Sequence, residues 1–295
     1  MKKFIILIPV YNDWKSVSKL LNEIDIEIKN WEAEISVIII NDASTDNKND
    51  LNINCKKIKQ VKIINMKVNK GHARCNAAGL KYMTEKEDFD YVILMDADGE
   101  DRPEELNLLF NKCKENPNKT VTANRYKRSE GLLFQFFYRI HKILTFIFTG
   151  KSIKFGNYSC LPKEDVDKLS KESCIWSSFS GSVTKIIANR TSILSFRGMR
   201  YFGPSQMNFI NLLIHSFSIL AVFKISVILR SILFLFLYLF FIFDHFSIIT
   251  LFPVLVIIIF MLLILKISSR ENKVELSRSL ENIGNIDILS NLNSR

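Results

Sequence analysis

A chain of 295 residues has room for one domain of ordinary size plus an appendage. Its formal net charge of +10 raises nucleic acid as a partner, but six basic residues between Ser173 and Phe243 (Lys185, Arg190, Arg197, Arg200, Lys224, Arg230) adjoin apolar stretches, and no nucleic-acid motif accompanies them. That distribution argues against nucleic acid and for an anionic lipid surface or an anionic lipid substrate. Five scattered cysteines (Cys55, Cys75, Cys113, Cys160, Cys174) lack C-x-x-C spacing and read as reduced, structural thiols.

Phe4 to Ile8 is an apolar run that reads as a buried strand, with Pro9-Val10-Tyr11-Asn12-Asp13 as the loop at its carboxyl end. Met1-Lys2-Lys3 leads directly into it, so no signal peptide and a cytosolic globular part are expected. Val17, Leu20, Leu21, Ile24 and Ile28 recur at helical spacing. A second strand, Ile35 to Ile40, ends in Asn41-Asp42-Ala43-Ser44-Thr45-Asp46. A third, Val61 to Met66, ends in Asn69-Lys70-Gly71-His72 before a helix through Met83. Strands alternating with helices specify a mostly parallel α/β sheet. Asp42 is a candidate acceptor for a base N–H or ribose hydroxyls, or else ordinary turn chemistry. Gly71, with Lys70 and Arg74 nearby, suits close approach of a diphosphate, although no P-loop or G-x-G-x-x-G pattern is present.

The fourth strand, Tyr91 to Met95, runs into four acidic residues within six positions: Asp96, Asp98, Glu100 and Asp101. Crowded carboxylates need a neutralising partner, and Mg²⁺ or Mn²⁺ held by Asp96, Asp98 and Glu100 would keep coordination sites open for diphosphate oxygens. Gly99 lets the chain leave the strand as a loop. Asp101 to Glu105 also reads as a helix start, with Asp101 as N-cap and Pro103 in the first turn. Asn12 and Asp13, Asp42, Lys70 and Arg74, and Asp96 and Asp98 thus leave their strands at one rim, where open α/β sheets bind ligands.

Ala123-Asn124-Arg125-Tyr126-Lys127-Arg128 follows a fifth strand, and a long helix with Phe136, Phe137 and Tyr138 continues to about Thr149. Met207 to Phe223 carries a broad apolar face and reads as a helix on the membrane surface, or else a core helix. Ile225 to Phe243 and Phe246 to Leu265 each have the length of a membrane span, joined tightly at Asp244-His245. Lys224 and Arg230 at one end and Lys266, Arg270 and Lys273 at the other predict that both termini face the cytoplasm. The expected division is a catalytic domain over 1–205, a juxtamembrane helix over 206–224, two spans over 225–265 and a polar cytosolic tail over 266–295.

The runs IPVYND, INDASTD, NKGHARCNAAG and MDADGED, in that order, resemble the signatures of family 2 glycosyltransferases of the GT-A fold. The resemblance implies an inverting transferase that uses a nucleotide-diphosphate sugar, UDP- or GDP-linked, and a divalent metal. It assigns the nucleoside to Pro9, Tyr11, Asp13 and Asp42, and ribose, diphosphate and metal to Asp96 and Asp98. Asn41 and Ala43 stand where Asp and Gly are common. The stretches after Phe155 and Arg200, with the hairpin, resemble the polyprenyl-phosphate and dolichyl-phosphate sugar transferases. In that branch Glu100 sits where a Gln often helps to bind metal, and Gly156-Asn157-Tyr158-Ser159-Cys160 replaces the usual G-D-F-R-L.

A lipid-phosphate acceptor is anionic already and needs cations rather than a base; Arg125, Arg128, Arg139 and Arg200 are the candidates. The alternative acceptor is a hydroxyl of a lipid-linked saccharide or polysaccharide, which requires a carboxylate base, Asp101 or Glu100. A remoter alternative is a non-catalytic membrane scaffold. The inner membrane, with cell-surface glycan assembly, is the expected setting.

Overall fold

The computed structural model describes residues 1–48, 51–127, 132–203 and 209–290. Its centre is an eight-stranded sheet: β1 (Lys2–Val10), β2 (Ala33–Asn41), β3 (Gln60–Met66), β4 (Tyr91–Leu94), β5 (Thr120–Lys127), β6 (Ser159–Pro162), β7 (Arg190–Phe196) and β8 (Ile283–Ser290), in the order β7-β5-β6-β4-β1-β2-β3-β8. β1 pairs in parallel with β2 and β4, and β2 with β3. Side chains alternate across a strand, so Phe4, Ile6 and Ile8 of β1 enter one core layer and Ile5 and Leu7 the other. Both faces are covered, which explains why the central strands read as unbroken apolar runs.

The first layer receives α1 (Trp14–Glu27) and α3 (Leu106–Glu115), where Trp31 stacks on Phe110 with ring centroids 4.0 Å apart. The second receives α2 (His72–Lys86), α5 (Lys163–Ser170) and α6 (Phe179–Ile186). The chain therefore leaves β1 and β3 toward opposite faces, and the crevice between their crossovers opens at the carboxyl ends of β1 and β4. Register levels these ends: Leu7 lies opposite both Ile38 and Leu94, and Val10 opposite Asn41.

α7 (Phe209–Ala221) is buried at its end, through Ser218, Ile219 and Leu220, while Ile210 and Leu213 are exposed. The expected surface helix is thus half docked, and residues 206–208 of its expected range lie outside the described residues. α8 (Lys224–Phe241) and α9 (Ile248–Ser268) are long and apolar enough to cross a membrane. Only Val227 and Ser231 of α8 and Ile264 and Ser268 of α9 are buried, the pattern of a lipid-facing hairpin and not of a soluble core. The turn is longer than expected and occupies 242–247; Ser247 and Thr250 form a capping box that sets the start of α9. Lys224 Nζ meets Glu271 at 3.2 Å, which fastens the two roots of the hairpin together. α4 (Leu132–Thr149) rests on this base through Phe148, whose ring lies 4.8 Å from that of Phe260, while its Ile143 and Phe146 remain exposed.

The tail does not stand apart from the globular body. After α10 (Lys273–Ser277), β8 pairs antiparallel with β3, and Asp287 accepts from Asn65 Nδ2 at 3.0 Å and from Lys48. Residues 283–290 are thus an edge strand of the main sheet, where the sequence reading expects only a polar tail.

Candidate active site

The acidic loop is assembled from its own backbone outward. Gly99 has φ 84°, and Asp98 Oδ1 accepts from the Glu100 N–H at 3.0 Å, closing a tight turn just past β4. Asp101 is buried and its Oδ2 accepts from the Asp96 N–H at 3.0 Å. It does not cap the following helix as expected: Arg102 occupies the N-cap position, with no side-chain cap bond. The carboxylate turns back because the Asp96 amide, freed at the strand end, offers a buried donor that must be satisfied.

A distant segment lies across this loop. The Gly198 N–H donates to Glu100 O at 2.9 Å and the Tyr201 N–H to Asp98 O at 2.9 Å. A Cβ on Gly198 would stand 2.6 Å from Gly99 O, so the close approach requires glycine. The segment carries two arginines onto the carboxylates. Arg200 spans Asp98 Oδ2 at 2.6 Å and Asp13 Oδ2 at 3.1 Å, and Arg197 pairs with Glu100. Tyr201, hydrogen-bonded to Glu23, holds the far end.

Asp96 takes different partners: Asn157 Nδ2 donates to its Oδ1 at 3.0 Å, and His72 Nε2 lies 3.3 Å from the same oxygen. Burial alone would raise its pKa, but the His72 charge and these hydrogen bonds outweigh that effect and hold it well below the usual carboxylate range. His72 responds reciprocally: burial pulls its pKa down, and the Asp96 charge more than restores it. Burial, then the Asp96 charge, push Asp98 up to about 6 and Asp101 up to about 8. Asp98 is thus short of positive charge even with Arg200 beside it.

At the neighbouring strand ends, Asp42 is buried and both its oxygens are engaged, Oδ1 by the Lys70 N–H at 2.9 Å and Oδ2 by the Gly71 N–H at 2.8 Å. It shapes the loop that the sequence reading assigns to diphosphate. Gly71, at φ 90°, has no atom within 4 Å of where a Cβ would sit, which leaves its surface open. Pro9 is buried at the end of β1 and Tyr11 is exposed, while Asn41 and Asn12 brace the loop through Ser44 and Thr45. Lys70 is exposed, and Arg74 lies half-buried with its guanidinium carbon 5.7 Å from the Trp176 ring centroid.

Of the expected acceptor cations, Arg125 Nη2 stands 3.9 Å from Asp101 Oδ1, Arg139 is exposed on α4, and Arg128 lies outside the described residues. Among the described residues no three His, Cys, Asp or Glu side chains are arranged to hold a metal ion. Asp98 and Glu100 are turned instead to Arg200 and Arg197. The donor set itself fits a hard divalent cation, being all oxygen and, at Asp98, under-neutralised. His72, Asn157 and Arg197 were not among the expected site residues. The departure at Asn157 from the G-D-F-R-L pattern was the signal pointing to this position.

Comparison with known proteins agrees with this architecture. The Glycosyl transferase family 2 model matches residues 5–164, more than half of the chain, and the chain belongs to that family. It is 27% identical over 222 residues to the undecaprenyl-phosphate 4-deoxy-4-formamido-L-arabinose transferases of Salmonella choleraesuis and Salmonella paratyphi B, covering 72% of this chain and 65% of those relatives. Among solved structures, glucosyl-3-phosphoglycerate synthase from Mycobacterium tuberculosis superposes with TM-score 0.53 at 12% identity, covering 76% of this chain and 80% of that one. Mannosyl-3-phosphoglycerate synthase from Rubrobacter xylanophilus does so with TM-score 0.51 at 11% identity, covering 75% and 72%. These likenesses establish the GT-A fold.

Proposed function

We propose that this chain is an inverting glycosyltransferase that moves a monosaccharide from a nucleotide-diphosphate sugar to a polyprenyl phosphate at the membrane surface. The observation that carries the reading is the union of the acidic loop at the end of β4 with a globular body that meets the roots of a lipid-facing hairpin through Lys185 to Val222 O and Trp176 to Glu275. The names of the 27%-identical relatives, which the chain matches over 65% of their length, support the same acceptor class.

Asp96 and Asp98, with Glu100, would hold Mg²⁺ or Mn²⁺, which supplies neutralisation of the departing nucleoside diphosphate. Arg200 and Arg197 come from outside the strand onto these carboxylates and would present guanidinium groups to phosphoryl oxygens beside the cation. Asp42 keeps the Lys70–Gly71 backbone in place beneath the donor, and Asp13 and Tyr11 border the nucleoside. The acceptor phosphate attacks without a base. Asp101 supports this assignment: it is buried and its carboxylate is turned back onto the Asp96 amide, so it is poorly placed to take a proton from a sugar hydroxyl. Lys185 Nζ donates to Val222 O ahead of α8, Trp176 Nε1 donates to Glu275 after α9, and β8 joins the sheet, so both roots of the hairpin meet the catalytic domain, which supports a cytoplasmic face for that domain and both termini of an inner-membrane protein.

The test uses membranes containing the protein, Mg²⁺ or Mn²⁺ and a panel of labelled UDP- and GDP-sugars. Acid-labile label in the organic phase, lost in Asp98→Ala, is the expected result. Donor hydrolysis without lipid label would overturn the phosphate acceptor in favour of a hydroxyl.

A further inference from the structure

A run of hydrogen bonds leads from the C-terminal strand β8 into the loop that follows β2. Lys48 Nζ and Asn65 Nδ2 both donate to Asp287 Oδ2, the latter at 3.0 Å, and Asn285 Nδ2 donates to Asp287 Oδ1 at 2.9 Å. Asn65 Oδ1 accepts from Asn41 Nδ2 at 2.9 Å, and Asn41 Oδ1 accepts from the Ser44 N–H at 3.0 Å. Ser44 Oγ in turn accepts from the Asn12 N–H at 2.9 Å, and Asn12 Oδ1 accepts from the Thr45 N–H at 2.8 Å. A strand that lies beyond the membrane hairpin in sequence is thus wired into loops 10–13 and 41–46, which border the nucleoside in the proposed function. Each loop also holds a non-glycine residue at positive φ, Asn12 at 49° and Ala43 at 57°. Such a conformation persists only where surrounding bonds hold it.

The polarity of this run is set at its far end. A side-chain amide donates from one side and accepts on the other, and its shape alone does not select which way round it stands. An ionised carboxylate only accepts. The bonds from Lys48 and Asn65 hold the Asp287 carboxyl below its ordinary pKa, so it is ionised at neutral pH. Asn65 must therefore turn its N–H₂ to Asp287, which leaves Oδ1 for Asn41. Asn41 must then donate, which leaves its own Oδ1 for the Ser44 N–H. Asn41 is only 6% exposed, so water offers no ready substitute for either bond. An aspartate at 41, the residue common there, could not donate to Asn65 and would set two acceptors face to face. The departure at Asn41 and the return of the tail to the sheet edge are two halves of one arrangement.

We propose that Asp287 is a positioning residue of the sugar-nucleotide site, holding the 41–46 loop in its nucleoside-binding form through Asn65 and Asn41. The identity of the ligand rests on the transferase reading above. β8 is then a working part of the donor site as well as an edge strand.

Asp287→Ala, Asn41→Asp and the double variant Asn41→Asp/Asp287→Asn, each in the full-length, detergent-solubilised protein, test it. Either single change should raise KM for the sugar nucleotide by about fivefold or more and leave kcat and KM for polyprenyl phosphate within about twofold. In the double variant every donor reverses: the new amide at 287 donates to Asn65 Oδ1, Asn65 donates to the new carboxylate at 41, and the Ser44 N–H keeps an acceptor. KM for the sugar nucleotide should then return to within about twofold of the wild type. Unchanged KM in the single variants, an equal rise for both substrates, or no recovery in the double variant would each overturn the proposal. Hydrogen exchange followed by mass spectrometry over residues 41–46, in the metal-free protein without ligand, gives an arm independent of activity. Exchange there should quicken in Asp287→Ala and regain wild-type protection in the double variant; unchanged exchange in Asp287→Ala would also overturn the proposal. Absence of sugar transfer by the wild type would instead sink the transferase reading, and the exchange result would still decide whether Asp287 holds the loop.

Discussion

Asp101→Asn separates a buried neutral carboxyl from a working base. The Asp101 side chain belongs to a residue only 4% exposed, accepts the Asp96 N–H at 3.0 Å, and is pushed up to about 8 by burial and the Asp96 charge. An unfolded aspartate titrates near ~3.9. Between those values the folded protein keeps a proton that the unfolded chain has released, so stability is greatest at low pH and falls as pH rises toward 8. From about pH 4 to pH 7 the loss is about three pH units at ~1.36 kcal/mol each, on the order of 4 kcal/mol. Asparagine has the same shape, can accept the Asp96 N–H through its Oδ1, and carries no such ionisation cost. Thermal unfolding followed by tryptophan fluorescence, in metal-free buffers between about pH 5 and pH 8, should show the variant gaining on the wild type as pH rises. Parallel curves would refute the reasoning, because they would mean that Asp101 is ionised in the fold. Transfer to polyprenyl phosphate should survive the substitution; its loss from a folded variant would make Asp101 a base and bring the hydroxyl acceptor forward.

Asp42→Asn sets an amide N–H₂ against one of the two backbone N–H groups that Asp42 now accepts, at 2.9 and 2.8 Å. A lost hydrogen bond to a charged group is worth about 1.5–3 kcal/mol, so KM for the sugar nucleotide should rise by about tenfold or more in donor titrations. Truncation after Asn282 removes β8 and bares the edge of β3; a lower Tm and concentration-dependent association, followed by light scattering, should result. All five cysteines are buried, with burial pushing the Cys55 thiol up to about 12 and those of Cys75, Cys160 and Cys174 upward. The folded protein should therefore resist a thiol reagent at mildly alkaline pH, and rapid labelling of any one of them without unfolding would contradict that burial.

The strands, their order along the chain and the rim where Asp13, Asp42 and Asp96 emerge were legible in the sequence, because runs such as Phe4–Ile8 and Tyr91–Met95 carry their own burial requirement. The hairpin was legible for the same reason, since two apolar stretches of membrane length admit few other fates. The contacts that shape the site were not. Arg200 meets Asp98 across 102 positions and Asn157 meets Asp96 across 61. Nothing local to RGMRYFG or FGNYSC states which carboxylate each will face. Asp101 was misread for the complementary reason: its sequence context suits an N-cap, and only the freed amide of Asp96 at the end of a buried strand outbids that role.

By itself, then, the sequence determined the family, the layered sheet, the acidic loop and the lipid-facing hairpin, all of which follow from hydrophobic patterning and from charges that crowd within a few residues. Tertiary structure decided which charges neutralise one another. It turned Asp98 and Glu100 toward Arg200 and Arg197, set His72 and Asn157 on Asp96, and returned residues 283–290 to the sheet edge. Those pairings depend on where the sheet and the hairpin bring distant segments together, and electrostatic energies vary too steeply with distance and burial to be read from order along the chain.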